Sequence, residues 1–579
     1  MDRGTRGGTP PVRGRFGALL LAFAVGWGGC GNGTQSLSSS LTRAEPRQQA
    51  LGVIEEAAPK APPKRLRAMP GRGALADFAD LERPRKIKAL VEQQRLELEA
   101  ELRALAAPGF AWGVVVDGEL VAAGADGTTR IDHGSPATTS TLFRVGSITK
   151  VFTALALLQL RDRGQIALDR PLREWLPEFD GVVYPSADSP LITPRHLLLH
   201  RSGLPRLGAF DYTVVDKPPT EREVLGALEG VELHDAPGMS FEYSNFGYAL
   251  LGVLVARAAR QPVDAYVTEH IRQPLAMSHS VWTTEGLTES SLARPHAERP
   301  DGTFGVVPEW PQAASDGAGG LYSSVEDLAR FAAFQLAAWP ASSAPEGPVL
   351  ARSSLRESQG FQAVDRLRLR VQGDEPPRAQ VTGEGLGWSV YRDCRFEQVS
   401  WHNGGTEGHR AVLYLLPAQG LGLIILANRD GVDLDGPARR FLARLHDASA
   451  LPRREPVLVL SEAWRHQVHA ALALGREFDR AKFESLFDAA TREVLTPAIM
   501  QPFLEKVYQN HGRCESGSPA PSRHDHWQAV TLTCERGEPR MLEAALSPSQ
   551  QLIGLWIGSP EHHAERVRQR TGAAEPCSH

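Results

Sequence analysis

Ser147 and Lys150 stand three residues apart in Phe143-Arg144-Val145-Gly146-Ser147-Ile148-Thr149-Lys150. On a helix that spacing puts a hydroxyl and an amine on one face, as a nucleophile and its general base require. The amides of a first helical turn have no partner within the helix, so the Ser147 amide is free to bind a developing oxyanion. A purely structural reading makes Ser147 an N-cap. A capping box, however, wants Glu or Gln three residues later. Lys150 has the wrong sign for the positive end of a helix, a placement that costs about 0.3–1 kcal/mol. The same repulsion, together with burial, lowers the amine's pKa toward that of a working base. Lysine is scarce in this Arg-rich chain, and no other Ser-x-x-Lys occurs in it. A four-residue pattern is still easily met, and alone it identifies no activity.

Two further phrases follow in the chain. Tyr243-Ser244-Asn245 comes after the turn-forming Pro237-Gly238, and His402-Asn403-Gly404-Gly405-Thr406 lies near the end of the same region. Tyr-x-Asn carries no weight alone, since Tyr508-Gln509-Asn510 repeats it further on, where it is assigned no role. A lone histidine is more often a satisfied core or surface residue. The Gly404-Gly405 pair beside His402 permits close backbone approach and favours a functional reading. His196 and His200 are four apart, as metal ligands can be, but no third ligand accompanies them and they read as structural. No CxxC or HExxH spacing indicates a metal, and no cofactor is expected.

Ser-x-x-Lys, Tyr-x-Asn and His-x-Gly in this order resemble the serine β-lactamase and penicillin-binding protein superfamily. The closest likeness is to its class C β-lactamase, D-alanyl-D-alanine carboxypeptidase and esterase branch. The resemblance spans about residues 105–430 and includes Thr193-Pro194-Arg195-His196-Leu197-Leu198-Leu199-His200-Arg201-Ser202-Gly203-Leu204, Gly319-Gly320-Leu321-Tyr322-Ser323-Ser324 and Gly385-Leu386-Gly387-Trp388. It implies that Ser147 forms an acyl-enzyme, Lys150 takes its proton, and Tyr243 relays protons to the leaving group and helps activate the deacylating water. It further implies that Asn245 bonds the substrate amide or Lys150, that His402 and Gly404 line the substrate site, and that the amides of Ser147 and Gly405 form the oxyanion hole. His402 stands where strong β-lactamases carry Lys. A neutral imidazole grips a substrate carboxylate less firmly than an ammonium. That weighs against efficient β-lactam hydrolysis and leaves peptidase, amidase and esterase activity open. A non-catalytic penicillin-binding or cell-wall-binding lipoprotein on the same fold is the rival reading.

Certain elements must position these residues. Ile87, Val91, Leu98, Leu102 and Leu105 predict a helix from about Pro84 to Ala107. Residues 111–116 and 120–123 around Asp117-Gly118 predict a β-hairpin. Ile148–Arg163 is a strong helix ended by Gly164. Residues 410–416 and 421–426 predict a second hairpin, expected to pair with the first in one antiparallel sheet. The expected fold class is α+β: an antiparallel sheet flanked by helices, an all-helical subdomain, and a small α+β C-terminal module. The expected division is a signal segment at 1–30, a flexible linker at 31–75, the hydrolase domain at 76–430, a connector at 431–455, and the module at 456–570. The module's helices, near 460–490 and 497–510, precede strand-like segments 527–535 and 541–557, an order that resembles nuclear transport factor 2-like appendages.

With 579 residues, the chain is long enough for roughly three or four folding units. A net charge of −5 leaves no basic surplus for phosphates, which excludes nucleic acid as an expected partner. Arg3, Arg6, Arg13 and Arg15 precede an apolar run from Phe16 to Trp27, the pattern of an export signal. Trp27-Gly28-Gly29-Cys30 resembles a lipoprotein lipobox with Trp where Leu is usual; ordinary cleavage near Gly29 is the alternative. Both routes lead to the periplasm or cell envelope, the first with a lipid anchor at Cys30. The expected substrate partner is a small molecule or a peptidoglycan-like compound. Among the remaining cysteines, Cys514 and Cys534 are expected to form a local disulfide, and a Cys394–Cys577 bridge is the weaker pairing.

Overall fold

The computed structural model describes residues 76–78, 82–209, 218–299, 302–310, 312–341, 346–370, 378–393, 395–448, 456–457, 460–520, 522, 527–547 and 549–571. The expected export signal, the linker, Cys30, Cys394 and Cys577 lie outside them.

Among the described residues, a short strand at Ala76–Phe78 precedes helix α1 (Arg83–Ala104), which has Pro84 in its first turn. Strands β1 (Gly109–Val116) and β2 (Glu119–Gly127) follow as the expected hairpin. Asp117 and Gly118 both take positive φ at the turn, which the tight connection requires. A 3-10 turn at Gly146–Ile148 leads into α2 (Thr149–Asp162), where every residue from Thr149 to Leu160 is buried. A helix with no polar face must lie at the centre of a fold. The chain then forms a largely helical subdomain that includes α3 (Asn245–Ala259), the short α4 (Asp316–Gly319) and α5 (Val325–Leu336).

It returns to the sheet as β3 (Ala363–Arg370), β4 (Arg378–Glu384), β5 (Ser389–Asp393), β6 (Val399–Thr406), β7 (His409–Leu416) and β8 (Leu421–Ala427). These join the first hairpin in one eight-stranded sheet, in the order β2-β1-β8-β7-β6-β5-β4-β3. The second hairpin therefore pairs with the first, β8 running antiparallel to β1. Alternation along the strands divides the side chains between two cores. Ala111, Val115, Leu413, Leu415, Ile424 and Leu426 face α2, α3 and α5. Trp112, Val114, Val412, Tyr414, Leu423 and Ile425 face the other side, toward α1. The architecture is α+β, with helices on both faces of an antiparallel sheet, as expected.

The stretch 431–455, expected to be a connector, instead carries helix α6 (Asp435–Asp447). Its Ala438, Phe441, Leu442 and Leu445 are buried in the same core as Ile87, Val91 and Leu98 of α1. The apolar spacing is helical, but it is interleaved with Arg439, Arg440 and Arg444, which hide it in a composition scan.

The C-terminal region has its own core around Trp464, Phe483, Leu504, Val530 and Leu542. Helices α7 (Glu462–Ala473) and α8 (Pro497–His511) precede a four-stranded antiparallel sheet. Its strands are β9 (Cys514–Ala520), β10 (Gln528–Cys534), β11 (Arg540–Leu546) and β12 (Leu552–Gly558). Ser461 caps α7 by accepting the Trp464 amide, and the Trp464 indole donates to the Ala544 carbonyl at 3.0 Å. The Cys514–Cys534 disulfide is present, joining residues that face each other across β9 and β10. Strand β9 adds to the strand-like segments 527–535 and 541–557: Cys-Glu-Ser-Gly-Ser-Pro-Ala is largely exposed and shows no apolar alternation, as suits a sheet edge.

Candidate active site

Ser147 sits in the tight turn entering α2, and Gly146 before it has φ 51°. The turn is braced on several sides. The Thr149 hydroxyl donates to the Gly146 carbonyl at 2.6 Å and accepts from the Leu321 amide at 3.2 Å. The Val145 amide donates to the Leu321 carbonyl at 3.0 Å, tying in the Gly319–Ser324 phrase. On the opposite side lies β6. A Cβ on Gly404 would fall 1.8 Å from the Val145 carbonyl oxygen and 3.2 Å from the Ser147 amide nitrogen. A Cβ on Gly146 would meet the Gly405 amide nitrogen at 2.8 Å. The glycine pair thus lets the edge of one strand touch the backbone of the serine turn. Gly404→Ala is therefore expected to push that turn away and lower kcat/KM about 100-fold, since an ångström of misplacement is worth that much. Ester kinetics beside a circular-dichroism spectrum separate this outcome from loss of the fold.

Lys150 is fully buried, with Nζ 2.9 Å from Ser147 Oγ and donating to the Ala318 carbonyl of α4 at 2.7 Å. Among the described residues it has no carboxylate partner. Burial, and then the positive charge of Arg206, hold its pKa well below the ordinary lysine value. Two tyrosine rings flank the amine, Tyr243 at 5.1 Å and Tyr248 at 5.6 Å.

The Tyr243 phenol is set by the start of α3. Ser244 caps the helix by accepting the Gly247 amide at 2.9 Å, and its hydroxyl donates to the Pro205 carbonyl at 2.7 Å. The Ser244 amide donates to Nδ1 of His200 at 3.0 Å, and the His200 ring lies 4.3 Å from that of Tyr243. His200, read from sequence as structural, is buried in the left-handed conformation with φ 55° and supports Tyr243 directly. Burial raises the Tyr243 pKa to about 12, while a hydrogen bond with Ser147 and the charge of Arg206 act the other way. The phenol is therefore protonated at neutral pH.

His402 faces the same centre from β6, its ring 6.4 Å from that of Tyr243. Its Nδ1 donates to the Asn403 carbonyl at 2.6 Å, leaving Nε2 as the unprotonated nitrogen of a neutral ring. Burial and the nearby Lys150 push its pKa down to about 4. It is neutral over the physiological range and offers no positive charge.

A cavity of about 780 Å³ opens over the serine, lined by Ser147, Tyr243, Asn245, Gly404 and Gly405 together with Arg206 and Trp310. Lys150 and His402 lie behind this lining. Asn245 Oδ1 is buried with no hydrogen-bond partner among the described residues. Arg206, which sequence reading did not single out, places its guanidinium 5.2 Å from the Tyr243 ring.

This constellation can attack a carbonyl, receive the proton of the attacking hydroxyl, and deliver one to a leaving group. It also sets a pH profile. Turnover of an uncharged ester needs neutral Lys150, so activity falls as pH drops through the lysine's lowered pKa. The rising limb is then complete well below the free-lysine value of about 10.4. Tyr243, raised to about 12, causes no alkaline fall up to pH 10. Values of kcat/KM from pH 5 to 10 check both limbs; a rate still climbing at pH 10 contradicts a depressed lysine.

The family model for Beta-lactamase matches residues 88–448, which include the whole of this constellation. "Protein flp" of Staphylococcus aureus strain MW2 is 26% identical over 344 residues, covering 58% of this chain. This chain spans only 63% of that relative's length. "Esterase EstB" of Burkholderia gladioli is 29% identical over 365 residues, or 55% of this chain and 86% of the esterase. The structure of the octameric penicillin-binding protein homologue from Pyrococcus abyssi aligns with a TM-score of 0.51 at 19% identity, over 80% of this chain and 94% of the homologue. That likeness is one of fold, and it agrees with the eight-stranded sheet and its helices. Fold, motif order and family model converge, and the chain belongs to the Beta-lactamase family.

Proposed function

We propose that this protein is an exported serine hydrolase that works through an acyl-enzyme on Ser147, with an ester, amide, β-lactam or D-amino-acid peptide as substrate. The observation that carries this reading is the Lys150 amine, buried 2.9 Å from the Ser147 hydroxyl with no carboxylate partner among the described residues. With Lys150 neutral, an N–H stays on the Ala318 carbonyl and the lone pair turns to the Ser147 hydroxyl. Lys150 takes the hydroxyl proton as Oγ bonds to the substrate carbonyl carbon. The Ser147 and Gly405 amides receive the carbonyl oxygen as it becomes an oxyanion. As the tetrahedral intermediate collapses, Tyr243 gives its proton to the departing oxygen or nitrogen, and protonated Lys150 restores the phenol. Water then attacks the acyl carbonyl, one of its protons passes to the Tyr243–Lys150 pair, and Ser147 Oγ leaves with a proton from that pair. The orphaned Oδ1 of Asn245 is an acceptor suited to a substrate N–H.

The esterase among the relatives supports an ester substrate, and neutral His402 weighs against efficient β-lactam turnover. The basic start of the chain and the run from Phe16 to Trp27 support export, and the Cys30 phrase supports a lipid anchor in the cell envelope. A fluorophosphonate tests the catalytic reading. One adduct is expected on the intact protein, mapping to the peptide that contains Ser147. An unlabelled protein that also fails to hydrolyse a 4-nitrophenyl ester overturns it and favours a binding protein.

A further inference from the structure

Two of the described residues that line the cavity over Ser147 carry positive charge, Arg206 and Arg410. Arg410 is committed elsewhere. It pairs with Asp430, and its Nη1 donates to the Thr406 and His409 carbonyls, each at 3.0 Å. The wall around it, formed by the β6–β7 turn and the segment leading from β8 into α6, is acidic, with Glu407, Asp430, Asp433 and Asp435 also lining the cavity. An anion is repelled from that wall. His402, on the same strand as the glycine pair, is neutral and contributes no attraction.

Arg206 stands on the other wall. No carboxylate pairs with its guanidinium among the described residues, and its side chain is exposed to the cavity. Its backbone is nevertheless fixed. The Arg206 carbonyl accepts the Asn245 amide at 2.9 Å and the Phe246 amide at 3.2 Å, while the preceding Pro205 carbonyl accepts the Ser244 hydroxyl. The Arg206 backbone is thus anchored by the hydrogen bonds that set the start of α3, and its guanidinium lies 5.2 Å from the Tyr243 ring. A planar donor fork on an anchored backbone, over an aromatic ring and with no carboxylate paired to it among the described residues, is suited to a substrate carboxylate.

We propose that Arg206 binds the carboxylate of the substrate, so that the preferred substrates are carboxylate-bearing esters, amides or lactams gripped from the α3 wall rather than from β6. This rests on Ser147 being the nucleophile. The subsite lies outside the three sequence motifs, in the segment whose Arg206 carbonyl accepts the first amides of α3.

The test uses the full chain and a matched pair of probes, mono-4-nitrophenyl glutarate and its methyl ester, which differ only in the carboxylate. The quantity read is the ratio of kcat/KM for the acid to that for the methyl ester. Wild type is expected to favour the acid, and Arg206→Gln to lower the ratio about 10- to 100-fold, the worth of one charge-assisted hydrogen bond. Arg206→Lys should restore part of the ratio, and 1 M NaCl should lower it in wild type. A ratio within twofold of wild type in Arg206→Gln overturns the proposal, as does a wild-type preference for the methyl ester. Binding gives a reading independent of turnover. Monomethyl glutarate should bind Ser147→Ala protein by calorimetry, and binding should be lost in the Ser147→Ala, Arg206→Gln double variant. Equal binding by the two proteins, or none by the first, counts against Arg206 whether or not Ser147 turns over. Failure of the serine reading is recognised separately, by wild type that takes no fluorophosphonate and hydrolyses neither probe.

Discussion

Ser147→Ala protein is expected to take up no fluorophosphonate and to lose about 10⁴-fold or more in kcat, in line with deletion of the nucleophile from other acyl-transfer sites. The size of the effect follows from what remains. The substitution leaves the paired amides, Tyr243 and the cavity in place, so substrate still binds and its carbonyl is still polarised. What is lost is the covalent route, with only an unpositioned water to attack instead. Little structural cost accompanies the change, because the turn is held by Thr149, Leu321 and the touching glycines rather than by the serine side chain. Intact-protein mass spectrometry and initial rates on a 4-nitrophenyl ester give the result. An adduct persisting in the variant would falsify the assignment.

Lys150→Met separates catalysis from stability. Removing the base is expected to lower kcat about 10²- to 10⁴-fold, the usual range for general-base catalysis. Thermal stability should hold or rise. Wild type keeps an amine with no exposed surface and, among the described residues, no counter-charge, an arrangement that penalises the folded state unless the amine is neutral. Methionine fills a similar volume without that penalty, at the cost of the bond to the Ala318 carbonyl. A structural lysine would behave in the reverse way, with a clear drop in melting temperature and little change in rate. Rates and a thermal melt on the same preparation distinguish the two.

The parts of the site that sequence made legible are those written as contiguous phrases. Ser147 with Lys150, Tyr243 with Asn245, and His402 with the glycine pair each carry a local spacing, and the structure brings these phrases to one point. The sheet was legible for a similar reason, since residues 111–116 and 410–426 hold long apolar runs around a clear turn. What escaped lacks a local signature. The Ala318 carbonyl that bonds Lys150 belongs to the backbone, and an acceptor present at every residue marks none of them. Arg206 is one arginine among many until the fold sets it over Tyr243. His200 was read as structural, but its partner Tyr243 lies 43 positions away and no periodicity connects them. Helix α6 was hidden by its arginines, and strand β9 by its lack of alternation.

The core around Trp464 shares no residue with either core of the sheet, and the Cys514–Cys534 bridge closes within it. Cooperativity in a protein extends only as far as the packing that transmits it. Heat or denaturant should therefore dismantle this chain in more than one step, and the step that ends turnover need not be the one that opens the core around Trp464. A single melting temperature would then describe neither half, and activity is the proper measure of whether the Ser147 site is still assembled.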